Sequence, residues 1–232
     1  MAGLQDIIDR CTSLQINRRK VVGVQTTYNE IPRTSLTPTK QPWRFTVEMP
    51  RSYRYNEARA LMEALDSLDR YSPQTITFSN NSNLTWIFAY QGDLNSSQIS
   101  GITVTSFIGN QLILGNLPVV PSGTVMFQPN DLIQIGAYPY PFTVTQQVTR
   151  GGGLTVTVYT NRPNILSSSV TGANIIVGND CTFNMFCANM PVYKLVPGGF
   201  QRYNNQLNGT IINNAYIEFS DTFQLYEWVG GA

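Results

Sequence analysis

The sequence has 232 residues, of which 42% are hydrophobic, 11% aromatic and 12% charged, with a net charge of +1. That is chain enough for a sizeable core, and the apolar content with so little net charge excludes an intrinsically disordered protein. No histidine is present, which removes the commonest general base and the commonest metal ligand.

Charge is unevenly placed: residues 1–70 hold 11 Lys/Arg and 8 Asp/Glu, a net of +3, and residues 71–232 hold 4 and 6, a net of −2. Neither half carries the clustered basic stripe that nucleic acid selects, so no specific nucleic-acid partner is expected. In chain order, Leu4, Ile7, Ile8, Cys11 and Leu14 recur at a spacing that predicts a short helix. Arg18-Arg19-Lys20 reads as solvated surface and leads into a strand start at Val21–Val24. Residues 34–41 read as loop. Trp43, Phe45 and Val47 alternate with Arg44, Thr46 and Glu48, a half-buried strand that ends at Pro50.

The clearest segment is Asn56–Arg70. Ala58, Leu61, Met62, Leu65 and Leu68 fall on one face of a helix, with Asn56 as its N-cap. Arg59–Glu63 and Asp66–Arg70 form i,i+4 opposite-charge pairs, each worth about 0.2–0.5 kcal/mol. Ser72 before Pro73 is pushed out of the α region and stops the helix. Gln74–Phe78 follows as a strand. The apolar stripe is therefore expected to lie on a sheet containing Trp43–Val47 and Gln74–Phe78.

Beyond a turn-rich loop at Ser79–Leu84, Trp86, Phe88 and Tyr90 alternate with Ile87 and Ala89 and predict a strand covered on both faces. Gly92–Ser100 reads as a polar loop. Ile102, Val104 and Phe107, then Leu112–Leu114, predict strands around a hairpin-like turn at Gly109-Asn110. Phe127–Ile135, Phe142–Val148 and Leu154–Thr160 predict a three-stranded β-meander. Pro139 and Pro141 confine its middle part to an edge or bulge. Ile175–Val177, Phe183–Phe186, Tyr193–Leu195 and Tyr216–Phe223 continue the β pattern. The expected fold is mainly β: a β-sandwich or barrel with one packed amphipathic α-helix at about 56–70 and a β insertion. Residues 1–79 are read as the N-terminal strands and helix of a composite β domain, 80–125 as an Asn/Ser/Gly-rich β insertion, and 126–232 as the meander and C-terminal strands.

The inventory for catalysis is thin. Asp131 and Asp180 sit where aspartate bonds its own turn. Glu218 and Asp221 are three apart in a strand-like stretch and point to opposite faces, so they form no acid/base pair. Lys20, Lys40 and Lys194 have no serine motif beside them, and Gly151–Gly153 is no phosphate loop. Cys11, Cys181 and Cys187 have no zinc spacing; Cys181 and Cys187 are expected to be two buried reduced thiols, with a small loop closed by them as the alternative in an exported protein. No catalytic, cofactor-binding or metal residue is nominated. Trp43, Trp86, Tyr90, Tyr138, Tyr140 and Tyr226 are candidates for a sugar-stacking platform, against the alternative of core and subunit-contact aromatics. Asn80, Asn83, Asn95 and Asn208 lie in N-x-S/T sequons, read as accidents of composition. The sequence shows neither a signal peptide nor a run of about 18 apolar residues, so a cytoplasmic origin without a membrane span is expected.

The stretches WRFTVEMP, EARALMEALDSLDRYSPQTITF, QPNDLIQIGAYPYPFTVTQQVTRGGGLTVTVYTNRP and FSDTFQLYEW, in that order, resemble tail and baseplate structural proteins of long-tailed bacteriophages, of distal-tail, hub or wedge type. The resemblance spans most of the chain as a pattern of strands, one helix and a terminal aromatic strand. It implies a virion protein made in the host cytoplasm, without an active site or cofactor. Its partners would be further copies of itself and other tail or baseplate proteins. A carbohydrate-binding module of a host-recognition apparatus is the alternative, resting on Trp86–Tyr90 and its polar loops.

Overall fold

The structure is a computed structural model that describes residues 3–18, 22–26, 32–36, 42–50, 53–54, 59, 61, 63, 72–79, 83–166, 169–196, 206–207, 210–211 and 216–228. In chain order, helix α1 (Gly3–Arg10) precedes β1 (Ser13–Asn17), β2 (Val22–Thr26), β3 (Pro32–Leu36), β4 (Arg44–Glu48), β5 (Tyr53–Arg54) and β6 (Gln74–Thr77). Helix α2 (Ser96–Ser100) leads to β7 (Thr103–Ile108), β8 (Gln111–Gly115), β9 (Val125–Phe127), β10 (Leu132–Ile135), β11 (Phe142–Thr143), β12 (Val148–Thr149) and β13 (Val156–Tyr159). Then come β14 (Ile175–Val177), a 3-10 turn at Gly178–Asp180, β15 (Thr182–Asn189), β16 (Tyr193–Val196), β17 (Gln206–Leu207), β18 (Thr210–Ile211), β19 (Tyr216–Phe219) and β20 (Phe223–Glu227). The chain is mainly β, in several separate sheets.

Its contacts divide it into two interleaved units. Unit 1 comprises 1–17, 43–76 and 185–228, and unit 2 comprises 18–42, 77–184 and 229–232.

The main sheet of unit 1 has the order β1-β4-β20-β15-β6. The alternation read in Trp43–Glu48 is obeyed: Phe45 and Val47 are fully buried while Arg44 and Thr46 are half-buried. Phe45 stands opposite Ile16 on one side and Leu225 on the other. The N-terminal helix also forms, ending at Arg10 rather than Leu14, and it buries Leu4, Ile7 and Ile8. Leu4 N donates to Gln74 Oε1 at 3.0 Å, tying the helix start to β6. At the far end of β20, alternation turns an acid inward. Glu227 is 3% exposed, and its Oε2 accepts from Trp43 N at 3.1 Å while its own N–H donates to Trp43 O at 2.8 Å. Arg44 lies 5.1 Å over the Tyr226 ring, a favourable cation–π arrangement.

Of the Asn56–Arg70 segment, Arg59, Leu61 and Glu63 are described and helical. Leu61 is buried, and Arg59 Nε pairs with Glu63 Oε1 at 3.2 Å on an exposed face. Met62, Leu65, Leu68 and the Asp66–Arg70 pair lie outside the described residues.

Unit 2 is built from short strands around one cluster that includes Ile102, Leu112, Leu114, Phe127, Ile133, Phe142 and Val158. The hairpin at Gly109-Asn110 forms as read, with Gly109 at φ 55° joining β7 to β8. A second aromatic group, Phe78, Phe88 and Phe183, has ring centroids 5.2–5.7 Å apart.

Two expectations in this region need correction. Residues 83–88 form turns instead of a strand: Ile87 N donates to Leu84 O, Ala89 N to Trp86 O, and the Trp86 indole to Asn83 O at 2.8 Å. The local bonds win because each aromatic is placed singly, Phe88 on Phe78 and Phe183, and Tyr90 on Phe127. Part of the polar loop Gly92–Ser100 is helix α2, held by a capping box in which Asn95 Oδ1 accepts from Gln98 N and Gln98 Oε1 accepts from Asn95 N. The three meander segments meet in order, though in pieces: the first joins the second through β10–β11 and β9–β12, and the second meets the third at the Val144–Thr160 bridge. β10 also pairs with β14, and β13 with β8. Leu154, at the start of the third segment, is 89% exposed.

Candidate functional site

Unit 2 carries an open cleft of about 410 Å³ lined by Arg18, Asn110, Thr145, Gln146, Tyr159, Thr160 and Asn161. Arg18, just past β1, and three further chain segments build it. The first is the β7–β8 turn, which supplies Asn110. The second follows β11 and supplies Thr145 and Gln146. The third is the end of β13, Tyr159 to Asn161.

Backbone bonds lock these segments together. Thr160 N donates to Asn110 O at 2.9 Å, Thr145 N to Tyr159 O at 2.9 Å, and Asn161 N to Thr143 O at 2.9 Å. Side chains add to the lattice: Thr145 Oγ1 donates to Tyr159 O at 3.0 Å, Thr160 Oγ1 to Arg162 O at 2.8 Å, and Thr143 N to Asn161 Oδ1 at 2.9 Å. With its oxygen so used, the Asn161 amide still has two N–H donors. Arg18 donates to Thr143 Oγ1 at 3.0 Å and to Asn130 Oδ1. Burial lowers the Arg18 pKa from its ordinary value. Beneath the cleft, Arg162 is buried, donates to Pro141 O at 3.0 Å and lies 5.1 Å over the Phe142 ring. Among the described residues, no aspartate or glutamate lines the cleft.

Tyr159 belongs to a cross-strand row. Ile108 faces Gln111 and Gln111 faces Tyr159 across β7, β8 and β13. All three are exposed on the outer face, whereas the neighbouring row of Phe107, Leu112 and Val158 is buried. The cleft therefore has an aromatic and aliphatic shoulder beside its polar walls.

Of these residues the sequence singles out Arg18 only as part of a surface run and Asn110 only as a turn residue. They are common polar types scattered from position 18 to position 161, with no spacing to betray them. The residues that were weighed go elsewhere. Asp131 is 2% exposed and accepts from Gln91 N at 2.9 Å and Gln128 N at 2.8 Å, so it organises its own turn and a second strand of chain. Burial raises its pKa while the two backbone donors oppose the rise. Asp180 lies on the 3-10 turn, and Asp221 accepts from Thr222 N at 2.7 Å in the β19–β20 connection. Glu218 is exposed opposite Lys194.

The six aromatic candidates do not assemble into one platform. Trp43 and Tyr226 belong to unit 1 and the other four to unit 2, with Trp43 and Tyr140 buried. Tyr90 spends its hydroxyl on Met126 O. Trp86, at 72% exposure, stands out on its turn. The three cysteines are free, and Cys181 and Cys187 are buried. Burial pushes the Cys181 thiol far up, which keeps it protonated and unreactive. Among the described residues, no three His, Cys, Asp or Glu are grouped to hold a metal ion, and no helix is long and apolar enough to cross a membrane.

A different surface lies in unit 1. β16 is the edge of the sheet β16-β19-β5. Leu195 is 56% exposed and Val192, just before the strand, 74%. Leu195 stands opposite Ile217, which is fully buried, so an apolar face that is covered at β19 opens to solvent one strand further out.

No family model matches the sequence, and no curated protein matches it.

Proposed function

We propose that this chain is a structural component of a bacteriophage tail or baseplate, found in the virion and made in the host cytoplasm. In this reading it assembles into a symmetric ring or complex through contacts with its own copies and with other tail proteins, and it catalyses nothing. The observation that carries the reading is the open apolar edge at Val192, Tyr193 and Leu195. Proteins that stay monomeric protect edge strands with charge, proline or a covering element. Here Lys194 and Pro191 guard the strand in part, and Pro197 follows it in the sequence, yet Val192, Tyr193 and Leu195 stay exposed. Interfaces favour such apolar and tyrosine surface over Lys and Glu. The finer architecture, a β-sandwich or barrel with the packed helix at about 56–70 and an inserted β segment, belongs to the same proposal. So does the absence of a specific nucleic-acid partner.

Electron microscopy and light scattering of the purified full chain test it. Rings or stacked oligomers are expected, and Leu195→Asp with Val192→Asp should dissociate them while leaving the fold intact. A strictly monomeric protein that is missing from purified virions would sink the reading.

A further inference from the structure

Beyond an assembly role, we propose that the cleft between the β7–β8 turn and the end of β13 binds a neutral carbohydrate. Three features of the site point to this chemistry. The first is its donor set. Asn110, Gln146 and Asn161 present amides, which donate and accept side by side and so match a pair of neighbouring hydroxyls on a sugar ring. The second is that, among the described residues, no carboxylate lines the cleft and its one guanidinium is held by Thr143 Oγ1 and Asn130 Oδ1. Such walls suit an uncharged polyhydroxyl ligand. The third is the shoulder. Tyr159 is 39% exposed and Ile108 75%, and they stand in one row with Gln111 between them. An aromatic ring beside amides offers the apolar C–H face of a pyranose a stacking surface while its hydroxyls reach the polar wall.

Size and rigidity agree. A cleft of about 410 Å³ falls within the range of small-molecule sites, about 300–1,000 Å³. The walls are held by the Thr145–Tyr159, Thr160–Asn110 and Asn161–Thr143 bonds before any ligand arrives. Little ordering is then required on binding. The sugar site is thus placed on Tyr159 and its amides instead of the exposed Trp86, which has no polar wall of this kind among its described bonds.

The test is a titration of the full chain with a panel of neutral hexose and N-acetylhexosamine oligosaccharides, followed by NMR through the side-chain amide signals of Asn and Gln. Saturable shifts at Gln146 and Asn161 are expected. Tyr159→Ala and Gln146→Ala, both at exposed positions, should each weaken binding about tenfold or more, with unchanged thermal unfolding. Tyr159→Phe should bind nearly as the parent, and Trp86→Ala should bind as the parent. The proposal is overturned if no neutral sugar binds at millimolar concentration, if only anionic sugars bind, or if binding survives both alanine variants and is lost with Trp86→Ala.

Discussion

Unit 1 and unit 2 solve the same problem, a β core, by opposite means. In unit 1, β4 pairs with β1 near the N-terminus and with β20 near the end of the described chain, so its main sheet is stitched from remote segments. The alternating strands of that sheet run to eight residues, and among the described residues its buried polar group is Glu227, bonded to the backbone of Trp43. Unit 2 takes most of its body from the continuous stretch 77–184, in strands of two to six residues. Short strands leave many turn N–H and C=O groups without ladder partners, and buried ones must be satisfied otherwise. The side chains of Asp131, Gln134, Thr160 and Arg162, all buried and all in unit 2, meet that need by bonding to backbone. The buried polar groups of unit 2 are therefore scaffolding for turns, and they are no evidence of catalysis.

The comparison predicts two separable transitions in calorimetry. Phe45→Ala and Phe142→Ala each empty a fully buried ring site, at about 3–5 kcal/mol. Each should lower one transition and leave the other in place. A single transition lowered equally by both would break the distinction. Next in size is Asp131→Ala, which strips acceptors from Gln91 N and Gln128 N and should cost about 1–3 kcal/mol for each amide left buried and unpaired. Denaturant titration should show that loss in the transition that Phe142→Ala also lowers.

Gly178→Ala is expected to cost about 1–3 kcal/mol. Gly178 sits at φ 76°, and an added Cβ would meet Tyr90 Cβ and N at 3.1 Å. An unchanged midpoint would show that the Tyr90 segment yields freely. Tyr90 itself supplies a pH test. Burial raises its phenol from an ordinary 10.0 to about 12. The folded pKa lies above the unfolded one, so the stabilisation is fully present below pH 10.0 and is lost as pH rises through about 12. Alkaline unfolding curves of the parent and Tyr90→Phe should diverge across that window, and superimposable curves would refute the assignment. Smallest of all is Arg59→Ala. Its ion pair with Glu63 is exposed on both sides, and removing it should change stability by about 0.5 kcal/mol at most.

How legible the fold was depended on whether the deciding interaction was local. The alternation of β4, the turn at Gly109-Asn110 and the apolar face of α1 could be read because each is a period or a turn residue acting within a few positions. The same rule misread Trp86–Tyr90. Alternating aromatics look like a strand until Phe78, Phe183 and Phe127 claim Phe88 and Tyr90 one at a time. Helix α2 had a local signal, the Asn95/Gln98 capping box, that its polar composition masked. The cleft had none, because its walls meet only when β13 pairs with β8 and the segment after β11 bonds to the end of β13.

By itself the sequence determined the β class, the positions of most strands and the poverty of catalytic groups, since composition and short-range periodicity govern those. Tertiary structure alone decided which remote strands pair, which residues join which unit, and that Asn110, Gln146, Tyr159 and Asn161 share one cleft. The physical reason is that a strand carries an open ladder on each edge, and its own residues do not say which distant strand will fill it.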